Sequence, residues 1–460
     1  MSNTVQSILK SWCINESSLN PTAELLAWIK ERNNNIYVNI EKKPLKSMSN
    51  WFYDEATGKI CNKNNSFFSI SGIHCEKEDG SEWDQPIILQ NEIGYLGIIC
   101  KNFDGIMHFL MQAKIEPGNV NKVQISPTIQ ATKSNFTLKH GGAKPLYLDY
   151  FQASSKYEII VDQIQSEQAS CFYKKRNRNI IIRVEGDIPV YPSHRWMTLG
   201  QIKALMHIDN LVNMDTRTVL SCIPFCNLNL SCDISDINKR IKNKTLFQSI
   251  IGYRDNNVEK AYNYINNIKM SGGIKSELIP LSMMKDWELK TNELVNNNPW
   301  PFKVIFCDVT IEGREVKNWN QPFFEATGSS LFGLLCVEDN GVLKFLVKAT
   351  VEVGCFDCVE LGPTVRYIAF SSEKKNEIDL LFDNLVKNRD SVMFDNYLSE
   401  EGGRFYHECN RNVIVRIKKQ DLPILPDGYF LFDYKTLNSL VQINNTLNIQ
   451  LRNLLSLLEV

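Results

Sequence analysis

The segment HFLMQAKIEPGNVNKVQISPTIQ (residues 108–130) decides the fold, because it recurs 236 residues later as KFLVKATVEVGCFDCVELGPTVR (residues 344–366). The same offset carries Trp83 onto Trp319 and Gln85 onto Gln321. A period of more than about 200 residues is too long for a solenoid repeat. The chain therefore contains two copies of one domain, which follow each other along the sequence.

Each copy has the same predicted order of helices and strands. An amphipathic helix is followed by a β-hairpin with alternating apolar positions, then by a further strand and a closing helix. This order predicts an α+β fold in which a mixed or antiparallel sheet carries flanking helices. The predicted segments are helices at 22–32 and 258–270, a hairpin at 94–113, strands at 178–185 and 411–417, and closing helices at 199–220 and 434–458.

These limits divide the chain into a first repeat (residues 1–226), a linker (227–256) that contains some helix, and a second repeat (257–460). Within the repeats, Asn177, Arg178 and Asn179 recur as Asn-Arg-Asn at 410–412, with a slightly shorter offset of 233. The shared tryptophans, glutamines and glycines are interpreted as residues that the fold requires, since both copies keep them.

Composition and charge exclude several classes of protein. The 460 residues include 51 Lys and Arg against 52 Asp and Glu, which lacks the basic excess of a general nucleic-acid binder. There is no secretory signal pattern at the N-terminus and no run of about 18 apolar residues, so we expect a cytoplasmic protein without a membrane span. The 13 cysteines are scattered without zinc-site spacing, which predicts reduced thiols and no metal.

Differences between the copies indicate where function lies, because folding constrains both copies whereas chemistry needs only one. Lys114 becomes Thr350, Gln130 becomes Arg366, and Asp215 becomes Gln450. The first copy thereby concentrates polar residues suited to an anionic, hydroxyl-rich ligand and to proton transfer. They are Lys114, Glu116, Gln124, Gln130, Lys133, Asn135, His140, Arg178, Asp215 and Arg217.

A simpler interpretation stays open for several of these residues. Lys114 and Glu116 are two apart on a predicted strand and would share a solvent-exposed face in an ordinary sheet. His140 would be an ordinary exposed residue of a glycine-rich loop. The sequence also has no dinucleotide-binding GxGxxG, no Walker A loop and no GxSxG elbow, so no nicotinamide or flavin cofactor is predicted.

Three longer segments resemble one known family. Residues 108–142, 166–179 (SEQASCFYKKRNRN) and 210–224 (NLVNMDTRTVLSCIP) are similar to signature blocks of the NDP-hexose 2,3-dehydratases, and the resemblance covers nearly the whole chain. It implies two tandem Nudix-like domains in a homodimer, with two nucleotide-sugar pockets per subunit of which one is catalytic. The implied reaction converts dTDP-4-keto-6-deoxy-D-glucose to the 3,4-diketo-2,6-dideoxy sugar nucleotide, which a ketoreductase then consumes. Neither a metal nor a cofactor is implied.

The implied reaction suggests roles for the first-copy residues. Glu116 and His140 are the candidate acid and base, and Lys114 would stabilise the O4 oxyanion or serve as an alternative base. Candidates for the diphosphate are Lys133, Arg178 and Arg217, and Asp215 is expected at the pocket with them. Candidates for base and sugar contacts are Trp83, Gln124, Gln130, Asn135 and Thr137.

Two rival functions remain open at this point. One is a nucleotide-sugar binding protein without catalysis. The other is a metal-dependent nucleotide-sugar hydrolase of the Nudix type, which is disfavoured because neither copy contains the acidic helix (GxxxxxE followed by RExxEE) that holds the metal in such hydrolases.

Overall fold

The computed structural model describes residues 2–63, 67–137, 143–228, 235–252, 258–313 and 316–460. Up to residue 252 the helices are α1 (Ser2–Trp12), α2 (Thr22–Asn35), α3 (Lys133–Phe136), α4 (Leu148–Gln152), α5 (Leu199–Leu205), α6 (Met214–Ser221), α7 (Ser235–Arg240) and α8 (Lys244–Ile251). The strands of this part are β1 (Val38–Lys42), β2 (Trp51–Asp54), β3 (Lys59–Asn62), β4 (Ser69–Lys77), β5 (Glu82–Leu89), β6 (Gly94–Phe103), β7 (Ile106–Ile115), β8 (Val123–Ser126), β9 (Ile129–Ala131), β10 (Glu158–Ser166), β11 (Arg176–Arg183) and β12 (His194–Thr198).

The rest of the chain repeats this order. Its helices are α9 (Val258–Ser271), α10 (Glu377–Lys387), α11 (Tyr434–Leu440) and α12 (Ile449–Ser456). Its strands are β13 (Ile274–Ile279), β14 (Trp287–Leu289), β15 (Glu293–Asn296), β16 (Phe302–Ile311), β17 (Asn318–Ala326), β18 (Leu331–Asp339), β19 (Val342–Val351), β20 (Val359–Gly362), β21 (Val365–Tyr367), β22 (Val392–Ser399), β23 (Phe405–Tyr406), β24 (Cys409–Lys418) and β25 (Tyr429–Asp433).

Each repeat contains one seven-stranded mixed sheet, and the two sheets have the same topology. The first has the order β10-β11-β6-β7-β12, with β8 on β7 and β9 on β6; the second has β22-β24-β18-β19-β25, with β20 on β19 and β21 on β18. The hairpin β6–β7 is antiparallel, whereas β6 and β11 are parallel. Residues 107–111 of β7 are all buried, as expected for a central strand covered on both faces. The predicted α+β fold with a mixed sheet is therefore confirmed.

The repeats exchange their first strands, which the sequence did not indicate. Strand β1 of the first repeat pairs with β16 of the second, and β13 of the second pairs with β4 of the first. The exchanged strands complete two smaller sheets, β14-β15-β16-β17-β23 with β1, and β2-β3-β4-β13 with β5. The largest hydrophobic cluster likewise contains side chains of both repeats, such as Phe109 and Phe345. Neither repeat completes its smaller sheet without a strand of the other.

The long closing helices predicted at 199–220 and 434–458 are wrong, because each is broken into two. Asn210 and Asn445 have a left-handed backbone (φ 58° in both), which interrupts the helical path. The side chains of Asn213 and Asn448 then accept hydrogen bonds from Thr216 N and Leu451 N and cap α6 and α12. The break matters for the site described below, because the beginning of α6 lies at a cavity.

Helices α6 and α12 pack against each other at the centre of the molecule. Arg217 of α6 is fully buried and donates hydrogen bonds to Val212 O (3.0 Å) and to Ser399 O of the second repeat (2.9 Å). Arg452 of α12 makes the reciprocal bond to Ser166 O of the first repeat. The two arginines thus connect the repeats. Among the described residues, no helix combines the length and apolar character needed to cross a bilayer.

Candidate active site

A cavity of about 480 Å³ opens beside β6, β7 and β9 of the first repeat, which is a suitable size for a small organic ligand. Its wall combines aromatic rings, amides and charged side chains drawn from both repeats. The aromatic residues are Trp51, Phe67, Tyr95, Phe172 and Trp319; the charged ones are Lys114, Glu116, Glu167, Lys175, Asp215, Glu401 and Arg404; the amides include Gln130, Asn135, Asn318, Asn320 and Gln321. We call this the first cavity.

Lys114, Glu116 and Gln130 form a connected group in this cavity. The Gln130 amide Nε2 donates to Glu116 Oε1 at 2.8 Å, and Lys114 Nζ lies 3.7 Å from the same oxygen. Lys114 Nζ also donates to the Gln130 backbone carbonyl at 3.2 Å. Glu116 is only 5 % exposed. The two residues therefore do not share a solvent-exposed face but meet inside a cavity, where a carboxylate and an amine can reach a bound ligand.

Asp215 is the second residue of α6 and lines the same cavity. It is 2 % exposed, and neither carboxylate oxygen accepts a hydrogen bond from any described residue. Burial raises the pKa of this carboxyl well above its usual range, and repulsion from Glu167, Glu116 and Glu401 raises it further. The raised pKa favours the neutral form of this carboxyl, which can donate a proton.

A segment of the second repeat, residues 400–407, crosses into the first cavity; we call it the second crossing loop. Gly118 N donates to Gly402 O (2.7 Å), and His407 N donates to Gly118 O (2.8 Å). A Cβ at Gly118 would lie 1.7 Å from Phe405 O, so only glycine permits this approach. Gln321 Nε2 holds the loop further by donating to Gly403 O at 2.6 Å. The loop brings Glu401 and Arg404 to the cavity.

These two loop residues add an acid and a cation. Burial and repulsion from Glu116 raise the pKa of Glu401 to about 7, against the opposing effect of Arg404. The Arg404 guanidinium lies 4.3 Å from the Phe68 ring centroid and donates from Nε to Gln90 Oε1 at 3.2 Å. Its plane and position are thereby fixed, which suits an arginine that binds a phosphate or carboxylate group.

The second repeat has a corresponding cavity of about 420 Å³, which we call the second cavity. There Glu352 pairs with Arg366 (2.8 Å), at the positions that correspond to Glu116 and Gln130. Thr350 occupies the position of Lys114, and Gln450 that of Asp215. Glu352, the counterpart of Glu116, is thus paired with an arginine, and both the amine and the buried acid are absent from the corresponding positions.

The first crossing loop, residues 167–174, is the counterpart that enters the second cavity. It brings Gln168 and Cys171 to the positions that Glu401 and Arg404 hold in the first cavity. Gly354 N donates to Ala169 O (2.7 Å), which repeats the contact between Gly118 and Gly402. The two crossing loops therefore make equivalent backbone contacts, but at these two positions they bring charged side chains to the first cavity and neutral ones to the second.

The sequence-predicted residues fall into four groups. Lys114, Glu116, Gln130, Asn135 and Asp215 line the first cavity together. Trp83 lines the second cavity instead, and its counterpart Trp319 lines the first. The others do not line either cavity: Gln124 bonds Ser399 Oγ, Arg178 pairs with Asp162, Arg217 joins the repeats, and Lys133 and Thr137 are exposed. His140 lies outside the described residues.

Arg178 was predicted to bind the ligand, although the second repeat has an arginine, Arg411, at the corresponding position. Its guanidinium makes two hydrogen bonds of 2.6 Å to Asp162, and Arg411 makes the same pair with Asp395 at 2.7 Å. Both repeats keep the pair because it joins neighbouring strands. An arginine shared by both copies in this way belongs to the fold.

Sequence comparison missed Glu401, Arg404, Glu167, Lys175 and Trp319 as residues of the first cavity. A signal was present at the offset of 233, where Gln168 becomes Glu401, Cys171 becomes Arg404 and Lys175 becomes Glu408. It could not be assigned to a cavity without knowing that the loops cross. No group of three or more Asp, Glu, His or Cys in the described ranges has the arrangement of a metal site.

The fold and the first cavity together define a duplicated α+β protein with an enclosed site that carries separate acidic and basic groups. The profile of the NDP-hexose 2,3-dehydratase family matches residues 22–223 and 258–458, one match for each repeat. The chain belongs to this family of hydro-lyases, as the resemblance predicted.

Three characterised relatives are similar over almost the whole chain, and each is named dTDP-4-dehydro-6-deoxy-alpha-D-glucopyranose 2,3-dehydratase. The protein of Saccharopolyspora spinosa is 36% identical over 441 residues, which is 95% of this chain and 91% of that protein. That of Amycolatopsis orientalis is 34% identical over 447 residues (95% and 89%), and that of Streptomyces violaceoruber is 35% identical over 442 residues (95% and 96%).

Proposed function

We propose that this protein removes the C2 hydroxyl of dTDP-4-keto-6-deoxy-D-glucose and forms the 3,4-diketo-2,6-dideoxy sugar nucleotide in the first cavity. The observation that carries this proposal is the difference in the cations that line the two cavities. Lys114, Lys175 and Arg404 line the first cavity, whereas Thr350, Glu408 and Cys171 stand at the corresponding positions for the second, whose own cations are Lys77 and Arg366. A diphosphate carries negative charge, so the three cations of the first cavity favour its binding there.

The chemistry follows from the 4-keto group, which acidifies the proton on C3. A base removes that proton and leaves an enolate with charge on O4. The C2 hydroxyl then leaves as water with a proton from an acid, and a double bond forms between C2 and C3. The resulting enol becomes the C3 ketone after C2 is protonated. Oxidation at C3 is balanced by loss of oxygen at C2, so the conversion as a whole needs no redox cofactor.

Glu116 is the base that the geometry of the first cavity supports best. Gln130 Nε2 and Lys114 Nζ both approach one of its oxygens and fix the carboxylate, which leaves the other oxygen for the ligand. Lys114 also has the charge to stabilise the O4 oxyanion. The aromatic rings of Trp51, Trp319 and Tyr95 supply flat surfaces for the nucleobase and the sugar.

The proposal includes further features that the family resemblance implies. They are a Nudix-like fold for each repeat, a homodimer and transfer of the product to a ketoreductase. Two further features come from the sequence itself, namely the division into residues 1–226, 227–256 and 257–460 and a cytoplasmic location. The α+β topology of the repeats is compatible with a Nudix-like fold. The two rivals are a binding protein without catalysis and a metal-dependent hydrolase.

One assay separates the three functions. Purified protein is incubated with dTDP-4-keto-6-deoxy-D-glucose in the presence of EDTA, and the products are followed by chromatography. The dehydratase is expected to consume the substrate and release maltol and dTDP, because the product is unstable unless a ketoreductase reduces it. Intact substrate would support the binding protein. Formation of dTMP and sugar phosphate, restored by Mg²⁺ after inhibition by EDTA, would support the hydrolase.

Arg404 belongs to the second repeat and is expected to bind the diphosphate in the first cavity. Arg404→Gln removes a charge-assisted contact and should raise the KM for the sugar nucleotide about 10-fold or more, with a smaller effect on kcat. Steady-state kinetics and calorimetric binding of dTDP measure the change. Cys171→Ala is the matched control, because Cys171 holds the corresponding position at the second cavity, and its KM should stay within about twofold of the unmodified protein. Equal changes in both variants would contradict this role.

A further inference from the structure

The proposed reaction needs both a base and an acid. Glu116 is assigned as the base, and the acid has not yet been assigned to a residue. Asp215 is the strongest candidate on geometry. It lines the first cavity at 2 % exposure, and both its oxygens lack a hydrogen-bond partner among the described residues. Leaving a buried polar group unpaired costs about 1–3 kcal/mol. An unpaired carboxyl in the wall of a cavity is available to a polar group of a bound ligand.

The ionisation state of Asp215 depends on two opposing effects. Its position in the first turn of α6 favours the anion by about 0.3–1 kcal/mol. Burial of a carboxylate without a partner disfavours the anion by several kcal/mol, and Glu116, Glu167 and Glu401 add repulsion. The second effect is larger, so the surroundings of Asp215 favour its protonated form, whereas Glu116 has Gln130 Nε2 and Lys114 Nζ at one carboxylate oxygen. Two carboxyls in such different surroundings suit separate roles as acid and base.

We propose that Asp215 is the catalytic acid that protonates the departing C2 hydroxyl; this inference rests on the dehydratase function proposed above. Glu116 takes the proton from C3, and the C–H electrons form the enolate. As the C2–O bond breaks, the Asp215 O–H bond also breaks, its proton joins the hydroxyl, and water leaves. Asp215 then remains as a carboxylate and Glu116 as a carboxylic acid. Transfer of one proton from Glu116 to Asp215, directly or through water, restores both residues.

The second cavity lacks this pair of groups. Gln450 occupies the position of Asp215 at the beginning of α12 and has no proton to donate at neutral pH. Glu352, the counterpart of Glu116, is paired with Arg366 at 2.8 Å. The proposed acid and base are therefore found together only in the first cavity of the described structure.

Asp215→Asn tests the proposal, because asparagine keeps the size of the side chain and removes the acidic proton. We expect kcat to fall about 10²–10⁴-fold, the range for loss of a general acid. Exchange of the C3 proton is the distinguishing measurement. In D₂O the variant should still introduce deuterium at C3 of the unreacted substrate, detected by NMR and mass spectrometry, because Glu116 is intact. Glu116→Gln should lose both exchange and elimination.

Folding and ligand binding are checked in the same variants. Asp215→Asn should melt no lower than the unmodified protein, because the replaced oxygens have no partners, and should bind dTDP with affinity within about threefold. Gln450→Asn is the matched control at the second cavity and should keep full turnover. Asp215→Ser provides a second variant without the acid, and the same retained exchange is expected of it.

Each result has a definite meaning. Full elimination by Asp215→Asn, or loss of C3 exchange together with elimination in a variant that still binds dTDP, would overturn the role of Asp215 as the acid. Failure of the unmodified protein to exchange the C3 proton or to consume the substrate would instead reject the dehydratase function. We expect the activity of the unmodified enzyme to fall at high pH when its acid ionises, and the residual activity of the variant should lack this fall.

Discussion

Replacement of Glu116 by glutamine is expected to lower turnover about 10³-fold while leaving the fold intact. The amide has the size of the carboxyl and can still accept the hydrogen bond that Gln130 Nε2 donates at 2.8 Å. It cannot take the C3 proton, so both the enolate and the elimination are lost. The kcat on dTDP-4-keto-6-deoxy-D-glucose and the binding of dTDP measure the change, and binding should be nearly unaffected.

Glu352→Gln is the control for this prediction, since it makes the same change at the corresponding position of the second cavity. It breaks the pair with Arg366 and so could lower the melting temperature, but the folded protein should keep most of its turnover. If both glutamines reduced turnover equally, the assignment of catalysis to the first cavity would be wrong. Lys114→Ala should behave like Glu116→Gln, because the O4 oxyanion then loses its nearby cation.

Replacement of Arg217 by methionine is expected to destabilise the protein by about 3 kcal/mol, the largest effect on stability that we predict outside the apolar core. Burial lowers the pKa of Arg217 to about 10, so the side chain is still charged at neutral pH. Methionine fills much of the volume but leaves Val212 O and Ser399 O without their donor inside the protein. A fall of several degrees in the melting temperature, followed by circular dichroism, would measure this loss.

Arg178→Met is the matched control, because it removes an arginine whose ion pair with Asp162 is partly exposed. Such pairs contribute about 0–1 kcal/mol, so its melting temperature should change little. Sequence analysis predicted that both arginines bind the diphosphate. If Arg217→Met melted normally but bound dTDP weakly, Arg217 would have the predicted role in binding the diphosphate, and its role in connecting the two repeats would be rejected.

Much of the fold could be read from the sequence, because repeated residues reveal repeated structure. The offset of 236 residues predicted a duplication, and the alternation of apolar residues predicted the hairpin that β6 and β7 form. The break between α5 and α6 was missed. The apolar spacing continues through it, whereas the left-handed backbone at Asn210 and the cap at Asn213 interrupt the helix. Local capping competes with periodicity at such points.

About half of the candidate site was also accessible from sequence. Lys114, Gln130 and Asp215 differ between the copies, and all three line the first cavity. Asp215 was expected only to contact substrate, because its protonation depends on burial and on three carboxyls that approach it from elsewhere in the chain. Trp83 was assigned to the wrong cavity for a related reason, since its strand contributes to the cavity of the other repeat.

The sequence by itself determined the duplication, the α+β class, the family and the polar difference that marks the first repeat. The tertiary structure decided which residues meet. Strand exchange and the crossing loops bring Trp319, Glu401 and Arg404 of the second repeat to the cavity of the first. Backbone hydrogen bonds such as Gly118 N to Gly402 O fix these contacts, and backbone groups are the same at every position of a sequence. The second repeat is therefore part of the first cavity, which no comparison of the two copies alone could establish.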